Sequence, residues 1–428
     1  MSSRRTFLRS TVYTLAGASP LLKAAGLNDT VNLGLIGVGI RGSQLMEEFS
    51  KVPGVNLAAT ADLYDGYLLH AREFTQGKIK TTKRYEELLS NKDLDAVVIA
   101  TPDHWHKKMT LDALAAGKHV YIEKPMTWRL EDGPEIIAAE KKSSKVLMVG
   151  SGGKTTALVA KTRELIAQGA IGKVRQIRMV NYRNSKEGAW IYPIPPDASP
   201  ATIDWERFLG PAPKRAFSPE VFFRWRCWWE YSGGVATDLF VHLLTTLHEV
   251  MDVQAPISVV SQGGLFKWKD GRTVPDVLES VFEYEQGFFA QMSVNLTNSA
   301  RAPGMVIYGE SGTLVMEAGK VIVTPEPADR DVQYYGSSAW PKAARDQYLK
   351  SRGADQPAPP RPEPRDVAVE SGLGHAAYFI ESIRESKPSK ENATEGHAAA
   401  GAAHLANRAY REGRKLRWDF ATNKVSAG

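Results

Sequence analysis

Three glycines between an apolar run and a helical pattern constrain this chain more than any other feature. Val31 to Ile36 reads VNLGLI, and its length and Val/Leu/Ile content are those of a strand buried on both faces. Gly37, Gly39 and Gly42 follow as G-x-G-x-x-G, and Ser43 to Val52 has helical spacing, so the glycines occupy a strand-to-helix turn. Gly37 permits the tight turn, Gly39 lets the backbone approach a pyrophosphate, and Gly42 lets helix and strand pack closely. The bare amides of the helix start, around Ile40 and Arg41, then face an anion. The next strand, NLAATAD, ends at Asp62, twenty residues after Gly42, where a carboxylate accepts hydrogen bonds from ribose hydroxyls. An acid there repels a 2'-phosphate, which favours NAD over NADP, while Arg41 beside the turn keeps NADP open.

The alternation continues. Residues 95–101 (DAVVIAT), 118–123 (KHVYIE) and 145–150 (KVLMVG) read as strands, with helical stretches at 106–117 and 129–143 between them. Strand and helix in turn imply an α/β fold, a doubly wound parallel sheet over residues 29–150 with ligands beyond the carboxyl ends of its strands. Thr101, Pro102, His104 and His106 (TPDHWH) and Glu123 and Lys124 (EKP) lie at those ends and are candidate cofactor contacts. The two histidines are expected to border the nicotinamide ribose, or else to cap a helix. Beyond Gly172 the sequence changes to extended segments such as VRQIRMVNYR, VLESVFEY and FFAQMSVNLT joined by Gly-containing turns, the pattern of an open antiparallel sheet. This second, α+β domain spans 151–371. Five prolines in the eight residues 357–364 mark a stiff linker, and 372–428 reads as C-terminal helices that pack back on the first domain.

Composition narrows the function classes. Hydrophobic residues make up 43% and charged residues 24% of 428 residues, a balance able to bury two or three cores. Four of the six net positive charges come from Arg4, Arg5, Arg9 and Lys23, so no global basic field points to nucleic acid. Residues 1–28 contain no Asp or Glu, and MSSRRTFLR resembles a twin-arginine export signal, which predicts passage through the Tat machinery to the periplasm, folded and with cofactor aboard. No apolar run is long enough to be a transmembrane span. The single cysteine, Cys227, excludes an intramolecular disulfide and any multi-thiolate metal site, and no metal is expected.

IGVGIRG, TPDHWH, ALAAGKHVYIEKP, GAIGKV, SGGVATDLFVH and AYREGRKLRWD together resemble the Gfo/Idh/MocA oxidoreductase family over roughly 31–325 and 372–419. The resemblance implies a Rossmann domain followed by an open sheet lining a sugar or cyclitol site. It also implies that the EKP lysine and an Asp-x-x-x-His pair act beside the nicotinamide, here Lys124, Asp238 and His242. Their chemistry is consistent with that role. Asp238 and His242 are four apart, on one face of a helix. An imidazole can accept a proton from an alcohol, with the carboxylate orienting it, and an ammonium can stabilise the resulting alkoxide. His248 falls off that face and reads as structural.

The stretch FFRWRCWWEYSGG places aromatic rings and cations just before the Asp238 segment. Arg226, Tyr231 and Trp229 are the substrate-contact candidates within it. Residues 151–154 read SGGK where relatives of the family carry Gln and Arg, which leaves that loop's substrate contacts open. Three functions are weighed: a sugar dehydrogenase; a redox-neutral glycosidase or lyase that oxidises, eliminates, hydrates and reduces again; and a noncatalytic sugar-binding protein. The HGLGP-like motif of the α-N-acetylgalactosaminidase branch is not seen. An exposed sheet face predicts a homo-oligomer.

Overall fold

The computed structural model describes residues 30–327, 332–355, 360, 362–370 and 372–428. The expected leader, 1–28, lies outside the described residues, as do positions 357–359 and 361 of the proline-rich segment.

Six strands form the first sheet: β1 (Val31–Ile36), β2 (Val55–Ala61), β3 (Lys80–Thr82), β4 (Ala96–Ile99), β5 (His119–Ile122) and β6 (Leu147–Val149). All pair in parallel, in the order β3-β2-β1-β4-β5-β6. Residues Ala96 to Ile99 are all buried, as strands covered by helices on both faces require. The order reverses between β1 and β4, so the crevice beyond their carboxyl ends is where an open α/β sheet takes a ligand. The Ile40–Ser50 helix buries Gly42, Leu45, Met46 and Phe49, one face at three-to-four spacing, against this sheet.

Ten strands form the second sheet: β7 (Val174–Tyr182), β8 (Ser258–Gly264), β9 (Val277–Tyr284), β10 (Phe288–Asn295), β11 (Met305–Gly309), β12 (Gly312–Glu317), β13 (Lys320–Pro325), β14 (Arg365–Ala368), β15 (Leu416–Asp419) and β16 (Lys424–Ala427). Every pairing is antiparallel except β7 with β10. Strand β9 alternates, with Leu278, Ser280, Phe282 and Tyr284 buried, so one face of the sheet carries the core.

The chain end corrects one expectation. Residues 372–428 are not helical throughout, because β15 and β16 extend the edge of the second sheet through β8. The alternation Leu416 in, Arg417 out, Trp418 in, Asp419 out is a strand period that the helical composition upstream obscured. The two preceding helices divide their contacts. His375–Arg384 buries Phe379 edge-on against Phe49 and Tyr121 of the first domain. Ala393–Glu412 touches both domains: a Cβ on Gly396 would lie 2.5 Å from Val149, and one on Gly401 would lie 2.5 Å from Trp418. Small residues along this helix are what allow both approaches.

Gly42 is equally constrained, since a Cβ there would sit 2.0 Å from the carbonyl oxygen of Gly37. The obstacle is backbone and cannot rotate away. Gly42→Ala is therefore expected to destabilise the first domain by about 1–3 kcal/mol, the usual cost of overpacking. An unchanged urea midpoint would contradict this account of the turn.

Candidate active site

Gly37 adopts φ +84, and a side chain there would meet the Ala100 carbonyl at 2.8 Å, so the first glycine is required by both conformation and space. Asp62 closes the other side. Its Oδ2 accepts from the Val38 amide at 2.8 Å and its Oδ1 from the Tyr64 amide at 3.0 Å, which fixes the carboxylate at the end of β2. Burial pushes its pKa up to about 6 against the opposing pull of those amides, so it is ionised at neutral pH. A crevice opens beside Gly37, Gly39, Ile40, Arg41 and Asp62, and Thr101 and Pro102 also line it. Tyr192, Phe223, Trp225 and Arg226 of the second domain face them. Glycines that no side chain can replace and an anchored acid at the end of β2 fit a dinucleotide: the turn's amides would hold its pyrophosphate and Asp62 its ribose hydroxyls.

Arg41 is turned away from Asp62. Its Nε donates to Glu123 at 2.7 Å and its Nη1 to Glu48 at 2.8 Å. Glu123 also accepts from the Lys124 amide at 3.1 Å, so this acid ties the helix start to the end of β5 rather than facing the crevice. The two histidines expected at the ribose are buried instead. His104 bonds the Phe208 carbonyl at 2.7 Å and packs edge-on against Tyr231. His106 sits between the carbonyls of Pro125 and Thr101 at 2.6 and 2.8 Å. Both orient loops, and burial pushes His104 down to about 4.

The residues of the Asp-x-x-x-His pair and the EKP lysine converge. Lys124 Nζ donates to the backbone oxygen of Asp238 at 2.7 Å and to its Oδ1 at 2.9 Å, and Arg226 Nε donates to the same Oδ1 at 3.0 Å. Burial opposes the charge on Asp238, but the two cations more than offset it and hold the carboxyl well below the usual carboxylate range. Asp238 lies in a π-helical turn, Ala236–Phe240, that runs into the Val241–Met251 helix, an irregularity typical of functional positions. His242 does not pair with Asp238 as expected. Its Nδ1 lies 2.9 Å from the carbonyl of Ser151; a carbonyl only accepts, so Nδ1 carries the hydrogen and Nε2 keeps a free lone pair. Burial, then the charge of Lys124, pushes the imidazole down to about 4, well under the ordinary value.

Two substrate candidates fall elsewhere. Tyr231 is fully buried among His104 and Phe208, and Trp229 lines a different cavity beside Arg411. Of the three candidates only Arg226 reaches the crevice, its guanidinium stacked 4.2 Å over Trp225, while Phe222, Phe223 and Trp225 of the same segment line the crevice beside it. Asp103 was missed. It is 2% exposed, accepts from the Gly233 amide at 3.3 Å, and is pushed up to about 7 by burial, with Arg226 opposing. Its place inside TPDHWH was the available signal. Tyr192 was also missed, and its segment, YPIPPD, has no periodicity that could have revealed it. Cys227 is a buried thiol, and the described residues contain no cluster able to hold a metal.

A family model described as "Oxidoreductase family, NAD-binding Rossmann fold" matches residues 31–151, and the "GFO/IDH/MocA C-terminal domain" matches 159–315. The 1,5-anhydro-D-fructose reductase of Ensifer adhaerens is 27% identical over 248 residues, 58% of this chain and 63% of that protein. A glycosyl hydrolase family 109 protein of Shewanella baltica (strain OS155) is 32% identical over 142 residues, 31% of each. The chain thus spans less than two thirds of either curated relative. Among solved structures, levoglucosan dehydrogenase in complex with NADH and levoglucosan superposes with a TM-score of 0.66 at 17% identity, covering 91% of this chain and 99% of that one. Aldose-aldose oxidoreductase from Caulobacter crescentus gives 0.65 at 18% identity, covering 91% and 99%.

Because the His242 imidazole is held neutral, its nitrogen resonances, assigned by comparison with His242→Gln, are expected to keep the Nδ1–H pattern as pH falls from 7 to 5. Protonation near the reference value of about 6.5 would contradict the geometry.

Proposed function

Since the chain belongs to the Gfo/Idh/MocA oxidoreductase family, we propose that it oxidises or reduces a hydroxyl-bearing carbon of a sugar or cyclitol with a tightly held NAD. The observation that carries this is the Lys124–Asp238–Arg226 cluster, which joins the end of β5 to the second domain and reaches the glycine-lined crevice through Arg226. Bound NAD supplies the acceptor for the hydride that leaves the carbinol carbon.

The protein's own groups manage the proton. Lys124 has three ammonium hydrogens, two of which go to Asp238, leaving one for a substrate hydroxyl. Asp238 keeps that ammonium charged and aimed. His242, with Nδ1–H fixed on Ser151, offers Nε2 to take the hydroxyl proton. The positive charge of Lys124 disfavours a histidinium next to it, so proton transfer is favourable only while negative charge develops on the substrate oxygen between them. Arg226, at the crevice wall, is placed to bind a further hydroxyl.

A second reading is a redox-neutral glycosidase or lyase. The relatives named glycosyl hydrolase family 109 accord with it, and NAD-dependent glycosidases stand outside the two-carboxylate scheme.

The proposal includes Tat export to the periplasm with cofactor retained, which the acid-free leader supports. It also includes self-association through the outer face of the second sheet, where Val260, Val281 and Phe289 are exposed. Protein purified from the periplasm and then denatured is expected to release close to one NAD per chain. Lys124→Met should lower turnover of a sugar substrate by about 100-fold or more. A chain released without nicotinamide, or a Lys124→Met enzyme of unchanged rate, would defeat the proposal. Accumulated keto product marks the dehydrogenase, and a freed aglycone without net reduction marks the redox-neutral cycle.

A further inference from the structure

A second cavity, of about 750 Å³, lies among Trp128 to Glu131, the Trp229 to Gly233 segment and the last turns of the Ala393–Glu412 helix. It shares no lining residue with the glycine-lined crevice. Its polar groups are unusually specific. Asn407 is 6% exposed, its Nδ2 donates to the Gly233 carbonyl at 2.7 Å, and its Oδ1 is buried without a partner. A buried acceptor left unpaired is costly, so it calls for a donor from an occupant. His404 supplies a second acceptor. Its Nε2 lies 3.0 Å from the Thr127 carbonyl and therefore carries the hydrogen, and in the neutral ring, pushed down to about 4 by burial, Nδ1 only accepts.

The walls are aromatic. Trp128 and Trp229 are tied together by an indole-to-carbonyl hydrogen bond of 3.3 Å, with Arg129 4.2 Å over the first ring and Arg411 5.5 Å over the second. Arginines 129, 408 and 411 are matched by glutamates 131, 230 and 412 around the same cavity, so it carries no excess of either charge. Acceptors at the floor reject an inward-pointing carboxylate or phosphate, which has no hydrogen to give. Donors and acceptors at the rim beside indole rings suit a molecule whose every polar group is both donor and acceptor and whose ring faces are apolar.

We propose that this cavity is a second binding site for a neutral saccharide, whose hydroxyls donate to Asn407 and His404. The assignment rests on the cavity's own lining and not on the chemistry at Lys124.

The test uses the full chain, fluorescently labelled, on an array of neutral, uronic-acid and sulfated glycans, followed by calorimetric titration with the strongest neutral glycan. Retention of a neutral glycan is expected, with affinity lowered about tenfold by Trp229→Ala and several-fold by Arg411→Ala. Asn407→Leu should abolish binding; if that variant does not fold, the Trp229 and Arg411 variants decide. Retention of acidic glycans alone, no retention at all, or affinity indifferent to Trp229→Ala and Arg411→Ala would each overturn the proposal.

Discussion

A carboxylate buried between two cations holds the functional half of this molecule in place. Asp238 and Lys124 are 11% and 12% exposed at their side chains, so neither charge has the water that would stabilise it alone. Each is tolerable only because the other, with Arg226, is within 3.0 Å. Breaking such a group by removing one member commonly costs about 3–5 kcal/mol, because the remaining charge stays desolvated. Lys124 comes from the end of β5 and the other two from the second domain, so this electrostatic requirement is also a requirement on how the domains meet.

Packing enforces the same arrangement from behind. The Ala393–Glu412 helix fits against β6 on one side and Trp418 of β15 on the other because Gly396 and Gly401 present no side chain at the two contacts. The chain therefore returns after the second domain to touch both sheets. Ser151, just beyond β6, is fixed in the same region: its hydroxyl donates to Glu391, immediately before this helix, and its carbonyl orients His242. An imidazole whose tautomer is set by a backbone carbonyl does not depend on a neighbouring carboxylate, and this frees Asp238 to neutralise Lys124 and Arg226.

How much was legible depended on whether the signal was local. Gly37, Gly42 and Asp62 could be assigned to the turn and the end of β2 because the motif's spacing is itself the geometry. Lys124, Asp238 and His242 were recognisable as a set, but their bonding was not. Helical spacing suggested an Asp238–His242 pair, whereas the long-range contacts with Lys124, Arg226 and Ser151 govern both side chains. His104, Tyr231 and Trp229 were chosen for their chemistry, yet burial assigns the first two to the core and the third to another cavity. Asp103 escaped notice because its raised proton affinity comes from burial by residues far along the chain.

The amino-acid sequence by itself determined the alternating parallel sheet and the glycine turn, since these follow from periodicity and backbone freedom within short windows, while family resemblance singled out Lys124, Asp238 and His242. The tertiary structure alone decided which charge faces which, where Arg41 points, which aromatic rings reach the crevice, and that the last residues complete a sheet. Those outcomes depend on desolvation and on contacts between segments tens to hundreds of positions apart, and no local pattern encodes them.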